Sequence, residues 1–501
     1  MLWIALRFPT LPLDSFLRGS PTAEPWAVAE GRALLACNAA AQALGVRADM
    51  PRAAALALAP ALRVRERDPA LEQATLEDAA TWAGRYTPRV SIVTAPRVSI
   101  VTAPRASITQ TAHAGGLLLE VAGSLKLFGG AAAILRGLRA GAAQLGLAAD
   151  AACAPTAQGA WLLARAPADE APCLDAGDLA QRLRALPLQA LECDTAALAA
   201  VGLRTLGELL DLPRDSLARR YGPALCAELD RALGAQPDPR VFHAAPERFH
   251  AGLELPAEVE HAQALLFAAR RLIAQLEGFL AARGGGAQGL RFTLFHRDAQ
   301  TEIDIGLVRP VQDAERFALL AREKFSALAL RAPVRKIALA VDAILPLAPA
   351  SGDLLADELK PAGDWAQLAE RLRARLGEQQ VGGLAAHADH RPETAWRSAP
   401  VGGSGRKPGA KPTAGPHDPR GQRPMWLLEQ PRRLQESSDA PCYAGRLELM
   451  AGPERIEVGW WDGREAARDY FIARNPAGAL LCIYSERYRN DAGWYLHGIF
   501  G

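Results

Sequence analysis

The chain is poor in the features that mark secreted, zinc-binding or membrane-embedded proteins. It has seven cysteines in 501 residues and no CxxC pair, which argues against a zinc module or a disulfide framework. No apolar run reaches the length of a membrane span, and the apolar stretch at the start is too short for a signal peptide. We therefore expect a cytoplasmic protein.

The positive and negative charges of the chain also nearly cancel. The net charge is +2, so the charge total alone identifies no nucleic-acid partner, and only clustering of the charges can indicate one. By contrast, half of the residues are hydrophobic and 22% are charged, as in a globular protein. A chain this long exceeds what one hydrophobic core usually serves, which predicts several domains.

The most informative stretch is HAGGLLLEVAGSLKLFGG, residues 113–130. Its apolar run, Gly-Ser turn and Gly-Gly ending predict a strand, a turn and the start of a helix. The stretch resembles the palm motif of Y-family translesion DNA polymerases, whose usual form is close to SIDEAFLDVTGS followed by an LFG turn. In that alignment Gly115 and Gly116 stand where the family has its catalytic Asp-Glu pair.

The opening strand, Leu2 to Phe8, also lacks the carboxylates that the family has at its catalytic positions. In the Y family this strand supplies the first metal-binding aspartate, and here Ala5 and Arg7 occupy the two Asp positions. Asp14 falls where the family has a Glu, and we interpret it as a solvated or helix-capping carboxylate. Glu120 is expected to point away from the site. The resemblance thus implies a polymerase frame with no catalytic residue, no metal and no cofactor.

The nucleotide-binding residues are replaced as well. The segment ACNAAAQALGVRADMP, residues 36–51, resembles the fingers signature YEARxxGVxxGMP, with Ala39 at the Tyr position and Gln42 at the Arg position. Thr156 and Gln158 lie near the Asn-Lys positions of a further family segment. A triphosphate needs cationic partners, so the resemblance implies that nucleotide binding is lost.

The same resemblance implies an α/β multidomain fold: palm and fingers, a helical thumb with a degenerate helix-hairpin-helix, an α+β little finger and a small β-rich C-terminal module. The expected order is palm and fingers at 1–170, thumb at 180–240, little finger at 247–347, linker at 348–424 and C-terminal module at 425–501. Within the first domain, PRVSIVTA is repeated near 88–111. Its β-branched pentapeptides between prolines predict short strands, and we assign them no function.

DNA contact is predicted at basic residues of the thumb and little finger, although solvated surface charges explain about half of them equally well. Arg331 and His296 belong to the same basic set in the little finger. The candidates we retain are Arg204, Arg219, Arg220, Arg291, Arg297, Arg335 and Lys336.

Two segments resemble sliding-clamp-binding peptides of the form QL[SD]LF. Ser351, Asp353, Leu354 and Leu355 lie after the last little-finger strand and keep the Asp and one Leu. QALLF, residues 263–267, matches better by letters, but it falls in a predicted helix whose apolar residues are expected in the core. We favour the first segment, with no clamp binding as the open alternative.

The end of the chain narrows the resemblance. A Gly/Pro-rich basic linker at 397–424 is either a tether or a non-specific DNA contact. RPMWLL, GPERIEVGWWDG, ARDYFIAR and WYLHGIF follow, and a polymerase-like body with these motifs resembles the inactive polymerase-like subunits of the bacterial damage-inducible mutasome. Dense aromatic residues form either a small core or a protein-binding face; the partner-binding candidates are Trp426, Trp460, Trp461, Tyr470 and Trp494.

The resemblance implies an adaptor in SOS-induced translesion synthesis that binds DNA and brings other proteins to it. Its implied partners are the replicative sliding clamp, the RecA-like accessory protein ImuA and an error-prone C-family DNA polymerase subunit. Two alternatives stay open: a divergent but active Y-family polymerase, and a DNA-binding protein without partners. A metal site at His387 and His390 is disfavoured because two imidazoles lack a third ligand.

Overall fold

The computed structural model describes residues 1–19, 22–94, 115–166, 171–191, 196–347, 365–399, 401, 423–437, 440–487 and 493–500. The chain divides into two compact units, Met1–Arg375 and Leu376–Gly501. No helix in the described ranges is long and apolar enough to cross a membrane.

The first unit begins with the region for which the resemblance predicts palm and fingers. Its central sheet has the strand order β5-β6-β1-β7, and a separate three-stranded sheet has the order β3-β2-β4. The predicted strand, turn and helix start at 115–130 is confirmed as β6, α5 and the beginning of α6. The elements are β1 (Trp3–Phe8), α1 (Leu11–Leu17), β2 (Trp26–Glu30), β3 (Ala33–Cys37), α2 (Ala39–Ala43), α3 (Arg52–Leu58), β4 (Arg63–Glu66), α4 (Pro69–Ala83), β5 (Val90–Val93), β6 (Gly115–Glu120), α5 (Leu125–Phe128), α6 (Ala131–Leu145), β7 (Asp150–Ala154) and α7 (Ala157–Leu163).

The palm sheet is buried on both faces, which is why β6 is apolar along nearly its whole length. Ile4, Leu6 and Leu117 face a core formed with α4 and α6. Ala5 and Leu118 face a second core, formed with α7 and the leucine-rich helices that follow. Of the repeat, the first copy forms β5, and residues 95–111 lie outside the described ranges.

A helical region follows and completes that second core. Leu183, Leu206 and Leu229 are each about 1% exposed and pack in it. Thr205 and Glu208 form a capping box at the start of α10, in which each side chain accepts a hydrogen bond from the backbone amide of the other residue. The helices are α8 (Ala176–Ala185), α9 (Ala196–Ala200), α10 (Leu206–Leu210), α11 (Arg214–Tyr221) and α12 (Pro223–Leu233).

The last part of the first unit has the predicted order strand, helix, strand, strand, helix, strand. Its sheet runs β10-β9-β11-β8, with β12 paired to β9, and α13 and α14 pack on one face around Phe279, Phe292 and Phe317. The elements are β8 (Phe249–Val259), α13 (Leu266–Arg283), β9 (Gly285–Phe295), β10 (Gln300–Val311), α14 (Ala314–Ser326), β11 (Val334–Val341), β12 (Leu345–Pro346) and α15 (Trp365–Leu376).

The second unit is built on a five-stranded sheet with the order β15-β21-β20-β19-β18. Leu481 and Ile483 lie in a core on one face, and Tyr470 and Tyr484 in a cluster on the other. The strands are β13 (Gly383–Ala386), β14 (Trp396–Ala399), β15 (Trp426–Arg433), β16 (Gln435–Ser437), β17 (Ala440–Cys442), β18 (Glu448–Val458), β19 (Ala466–Arg474), β20 (Leu480–Glu486) and β21 (Trp494–Ile499).

The segment before β15 belongs to this second unit. Arg391 donates to Asp462 (2.6 Å) and to the Arg464 carbonyl oxygen (3.0 Å), and Arg468 donates to Glu393 (2.8 Å). These bonds fix the turn between β13 and β14 to the strands at the end of the chain.

Candidate functional site on the palm sheet

The strand register brings the positions of the expected metal ligands together. Arg7 pairs with Gly116 across β1 and β6, and Ala5 pairs with Leu118. Because side chains alternate along a strand, Ala5, Arg7 and Gly116 face the same side of the sheet. Gly115 pairs with Phe8 and faces the other side. The two adjacent glycines therefore face different hydrophobic cores.

Neither glycine leaves room for a side chain. A Cβ on Gly116 would lie 2.4 Å from the Leu6 carbonyl oxygen and 2.8 Å from the Trp161 ring. A Cβ on Gly115 would lie 2.9 Å from both Leu11 Cδ2 and Leu76 Cδ1. All these distances are shorter than the contact distances that real Cβ atoms show. A carboxylate at either position therefore requires the backbone or its neighbours to move. The indole of Trp161, from α7, fills the space over Gly116.

Arg7 is held by the neighbouring strand. Its Nη1 donates to Asp150 Oδ2 at 3.1 Å, and β7 places Asp150 directly opposite Arg7. The Arg7 side chain is 12% exposed while that of Asp150 is 50% exposed. The cation therefore has a carboxylate partner at the edge of the face that carries Ala5 and Gly116.

Glu120 is the only acidic residue of β6. Contrary to the expectation from the sequence, alternation along β6 puts it on the same face as Gly116, but four residues and about 13 Å along the strand. Its Oε1 accepts from the Ala122 amide at 3.2 Å, and its Oε2 lies 3.6 Å from Arg89 Nη1. Glu120 thus closes the turn after β6.

Asp14 has a structural position in α1. Its Oδ2 accepts hydrogen bonds from Thr10 Oγ1 (2.8 Å) and from the Ala148 amide (3.0 Å), which joins α1 to the loop between α6 and β7. Burial raises the pKa of Asp14 to about 6, against the lowering effect of these bonds and of Arg271. Asp14 is partly buried, and its two bonds give it a structural role in place of the solvated or helix-capping one expected from the sequence.

Among the described residues, no group of three or more His, Cys, Asp and Glu side chains could hold a metal ion. His387 makes a local hydrogen bond between its Nδ1 and the Thr394 carbonyl oxygen, at 3.1 Å. On the palm face, the side chains that converge are a guanidinium, an alanine methyl group and an indole.

The segment that resembles the fingers signature contains a left-handed backbone position. Asp49, at a family Gly position, has φ 65°, a left-handed conformation that glycine adopts easily and that Asp tolerates better than most residues. Gln42 Nε2 donates to the Cys37 carbonyl oxygen at 3.3 Å, and Ala39 is exposed. Neither residue offers a charge to a phosphate.

Thr156 and Gln158 join α7 to α12. Thr156 caps α7 by accepting from the Gly159 amide (3.0 Å) and donates to the Ala232 carbonyl oxygen (2.7 Å). Gln158 donates to Glu228 at 3.2 Å. These side chains keep the palm and the helical region together.

Known proteins that resemble this chain agree with this architecture. The family model described as impB/mucB/samB matches residues 17–165. Protein ImuB from two strains of Caulobacter vibrioides is 30% identical over 487 residues, which cover 91% of this chain and 100% of the relative. The chain belongs to the ImuB family.

Solved structures of Y-family polymerases match part of the chain. A ternary complex of Dbh is 16% identical with a TM-score of 0.37, and the match covers 69% of this chain and 100% of that chain. DinB from Sulfolobus solfataricus is 15% identical with a TM-score of 0.34 and the same coverage. The described fold of this ImuB-family chain is mixed α/β, as the sequence predicts.

The thumb candidates of this ImuB-family chain are accessible. Arg204, Arg219 and Arg220 are exposed, and the Arg220 guanidinium lies 5.6 Å from the centre of the Tyr221 ring. Gly202 has φ 88° at the turn before α10, which corresponds to the second half of the helix-hairpin-helix. Residues 192–195, near the first half, lie outside the described ranges.

The little-finger candidates are mostly engaged with acids or rings. Arg291 Nε donates to Asp304 Oδ1 at 2.8 Å and lies 3.8 Å from Glu302. Arg335 lies 3.7 Å from Glu258. The cross-strand register explains the first pair, since β10 places Asp304 directly opposite Arg291.

The remaining little-finger residues differ. Lys336 lies 5.7 Å from the centre of the Phe295 ring and pairs across β8 with Glu254. Arg297 is exposed in the turn between β9 and β10. His296 is buried, and its two ring nitrogens bond to the Pro333 carbonyl oxygen and the Thr301 hydroxyl. Acids therefore offset much of the positive charge of this sheet.

Of the two clamp-peptide candidates, the structure describes only QALLF at 263–267. Ser351, Asp353, Leu354 and Leu355 lie outside the described residues. In QALLF, Leu265 is fully buried at the start of α13, as expected for a core residue. A clamp peptide must expose its apolar side chains, so the second candidate does not fit this role.

The aromatic candidates of the second unit fall into two groups. Trp426, Trp460 and Trp461 are 68%, 78% and 59% exposed. Tyr470 is buried and shares a 2.7 Å hydrogen bond with His497 Nδ1, and Trp494 packs on the Phe471 ring at 5.2 Å. The exposed group is available to another protein, whereas Tyr470 is buried and Trp494 is partly buried.

Proposed function

We propose that the protein is a non-catalytic adaptor of SOS-induced translesion synthesis, which binds DNA and recruits an error-prone C-family polymerase to the sliding clamp. The observation that carries this proposal is the closed palm face. Transfer of a nucleotide by two metal ions needs carboxylates that hold the ions about 4 Å apart, and Trp161 occupies the space over Gly116.

The second candidate function is that of a divergent, active Y-family polymerase. The polymerase-like fold favours it, and Glu120 and Asp14 are the acids closest in sequence to the missing ligands. Both, however, have structural partners in the Ala122 and Ala148 amides. We therefore regard catalysis through them as the alternative to be tested.

The deciding experiment is primer extension by the purified protein with Mg²⁺ or Mn²⁺. We expect no extension above that of a sample purified in parallel from cells without the gene. Extension that persists through purification, and that Glu120→Gln or Asp14→Asn abolishes, would establish the enzyme and refute the adaptor. Asn and Gln keep the size of each side chain and remove only its charge.

The DNA-binding part of the proposal rests on the thumb. Arg204, Arg219 and Arg220 are exposed, whereas Arg291 and Arg335 have acidic neighbours. A cation that neutralises a phosphate releases counterions from the DNA. Removing one such cation therefore lowers the slope of log affinity against log salt concentration by about 0.7–0.9. The thumb arginines should account for most of the slope.

Two matched triple variants test this assignment by fluorescence anisotropy on primer-template DNA at several salt concentrations. Arg204→Gln/Arg219→Gln/Arg220→Gln should reduce the slope by the equivalent of about two phosphate contacts. The control, Arg291→Gln/Arg335→Gln/Lys336→Gln, should reduce the salt slope by less than the contribution of one phosphate contact. A larger effect of the control would move the DNA contact to the little-finger sheet.

Clamp recruitment is assigned to residues 351–355 on their sequence resemblance. Replacing Leu354 and Leu355 by Ala should abolish clamp binding in a surface plasmon resonance titration. Leu127→Ala is the control, since Leu127 is exposed elsewhere in the first unit. Unchanged affinity of the double variant would remove this segment from the proposal.

The partners ImuA and the C-family polymerase subunit are assigned to the second unit, through its exposed tryptophans. A pull-down with purified partners should capture both, and Trp460→Ala/Trp461→Ala should reduce capture. If deletion of 376–501, the whole second unit, leaves damage-induced mutagenesis intact, the protein acts without partners bound to that unit. We place these interactions in the cytoplasm.

A further inference from the structure

Helix α15 is fixed to the first unit by one face. Ala366, Ala369 and Ala374 are buried on this inner face. Glu370, also buried, accepts hydrogen bonds from the Val308 amide and from Arg316 Nε, each at 2.8 Å. A buried carboxylate with these partners holds the helix in one rotational position.

The same helix carries an apolar row on another side. Trp365, Leu368, Leu372 and Leu376 are 69%, 49%, 37% and 56% exposed. Their spacing of three, four and four residues places them along one side of the helix, over about 17 Å. We call these four residues the outer row. Within the first unit, no described residue covers the exposed parts of these side chains.

The outer row is bordered by positive charge. Arg371 and Arg375 are exposed on the side away from the inner face, and Arg371 forms a partly exposed ion pair with Glu323 at 3.5 Å. Beyond them, the exposed Arg270 and Arg322 of α13 and α14 line a cleft of about 980 Å³ together with Arg371.

Most of the acids that line this cleft are already engaged. Glu370 bonds to Arg316, Glu277 lies 3.3 Å from Arg85, and Asp313 caps α14. Asp313 and Glu315 are both exposed at the start of α14, whereas Arg371 and Arg375 lie on α15 itself. The charge left on the border of the outer row is therefore positive.

We propose that the outer row docks an amphipathic helix of another protein, one whose own apolar row is flanked by acidic residues. Spacing of three and four residues is that of a helix-helix seam, and a tryptophan is a frequent anchor of protein interfaces. Acidic flanks would pair with Arg371 and Arg375. A second copy of α15 is a poor occupant, because it would bring these arginines against their equivalents.

The test uses the full chain and two designed helical peptides labelled with a fluorophore. Both carry leucines in a three-four spacing; the first has Glu at the flanking positions and its twin has Lys. Fluorescence anisotropy should show binding of the Glu peptide and at least tenfold weaker binding of the Lys twin. Leu368→Ser/Leu372→Ser should weaken the Glu peptide at least tenfold, and the control Leu127→Ser should not.

Charge reversal is the second arm. Arg371→Glu/Arg375→Glu should exchange the preference between the two peptides, and its effect on folding should be small because both positions are exposed. Equal binding of the twins, or binding that Leu368→Ser/Leu372→Ser leaves unchanged, would overturn the proposal. Two further outcomes would overturn it if the Glu peptide does not bind. One is binding to anionic lipid vesicles that depends on the outer row, and the other is dimerisation of the chain through that row.

Discussion

Trp161 of the first unit and the pair Trp460 and Trp461 of the second occupy opposite environments. Trp161 is 2% exposed and covers Gly116 on the palm sheet, whereas Trp460 and Trp461 are 78% and 59% exposed in the turn between β18 and β19. In the first unit an aromatic ring fills the space over Gly116, where the family resemblance leads one to expect a catalytic carboxylate. In the second unit the rings remain available for binding. The comparison separates a buried ring that packs in a core from two exposed rings that the proposed function assigns to partner binding.

The largest expected effect is on the buried ring. Trp161→Ala removes a fully packed indole and leaves a cavity between the palm sheet and the helical region, which should lower the free energy of unfolding by about 3–5 kcal/mol. Chemical denaturation followed by circular dichroism measures this loss. Stability within about 0.5 kcal/mol of the parent would mean that Trp161 does not pack as described.

Asp14 gives a pH-dependent effect in the same unit. Its pKa is raised from 3.8 to about 6, so the folded state holds the proton more tightly than the unfolded chain. The stability this group contributes is fully present below pH 3.8 and is lost as the pH rises through about 6, at most about 3 kcal/mol. Asp14→Asn should remove this loss.

The measurement is the difference in unfolding free energy between parent and Asp14→Asn across pH 4 to 8. We expect the variant to gain on the parent as the pH rises through 6. Asparagine keeps an oxygen for the Ala148 amide and the Thr10 hydroxyl, so the difference reports the charge. A difference that stays constant with pH would contradict the burial of a carboxyl group there.

A smaller loss is expected at Gly116. Even a methyl group meets the Leu6 carbonyl oxygen and the Trp161 ring, so Gly116→Ala should cost about 1–3 kcal/mol through overpacking. Gly123→Ala is the matched control, because a Cβ there meets nothing within 4 Å. If both substitutions have the same effect in thermal melts, the palm face has room for side chains.

Local pattern predicted much of this fold. The order of elements from β8 to β11 followed from hydrophobic period and from Gly and Pro positions, because both are local properties. The absence of carboxylates at Ala5, Arg7, Gly115 and Gly116 was visible in the sequence through the family resemblance. Such features depend on residues close together along the chain.

Long-range packing was not predictable in the same way. Trp161 reaches Gly116 from 45 residues away (161 − 116), and nothing in either segment indicates the contact. The pairing of Arg291 with Asp304 depends on the register of two strands, and a shift of one residue would separate them. Likewise, only the structure distinguishes the buried Tyr470 from the exposed Trp460, although both lie in one aromatic-rich segment.

The smallest effect on stability is expected at the exposed rings. Trp460→Ala/Trp461→Ala removes two rings that stack edge to face on each other, with centres 5.5 Å apart, and that expose most of their surface. Surface substitutions of this kind usually stay within about 0.5 kcal/mol, so denaturation should separate this variant clearly from Trp161→Ala. The double variant should instead lose capture of the partner proteins. A stability loss above about 1 kcal/mol with capture intact would assign the Trp pair to the core of the second unit, and the contrast between the two units would no longer hold.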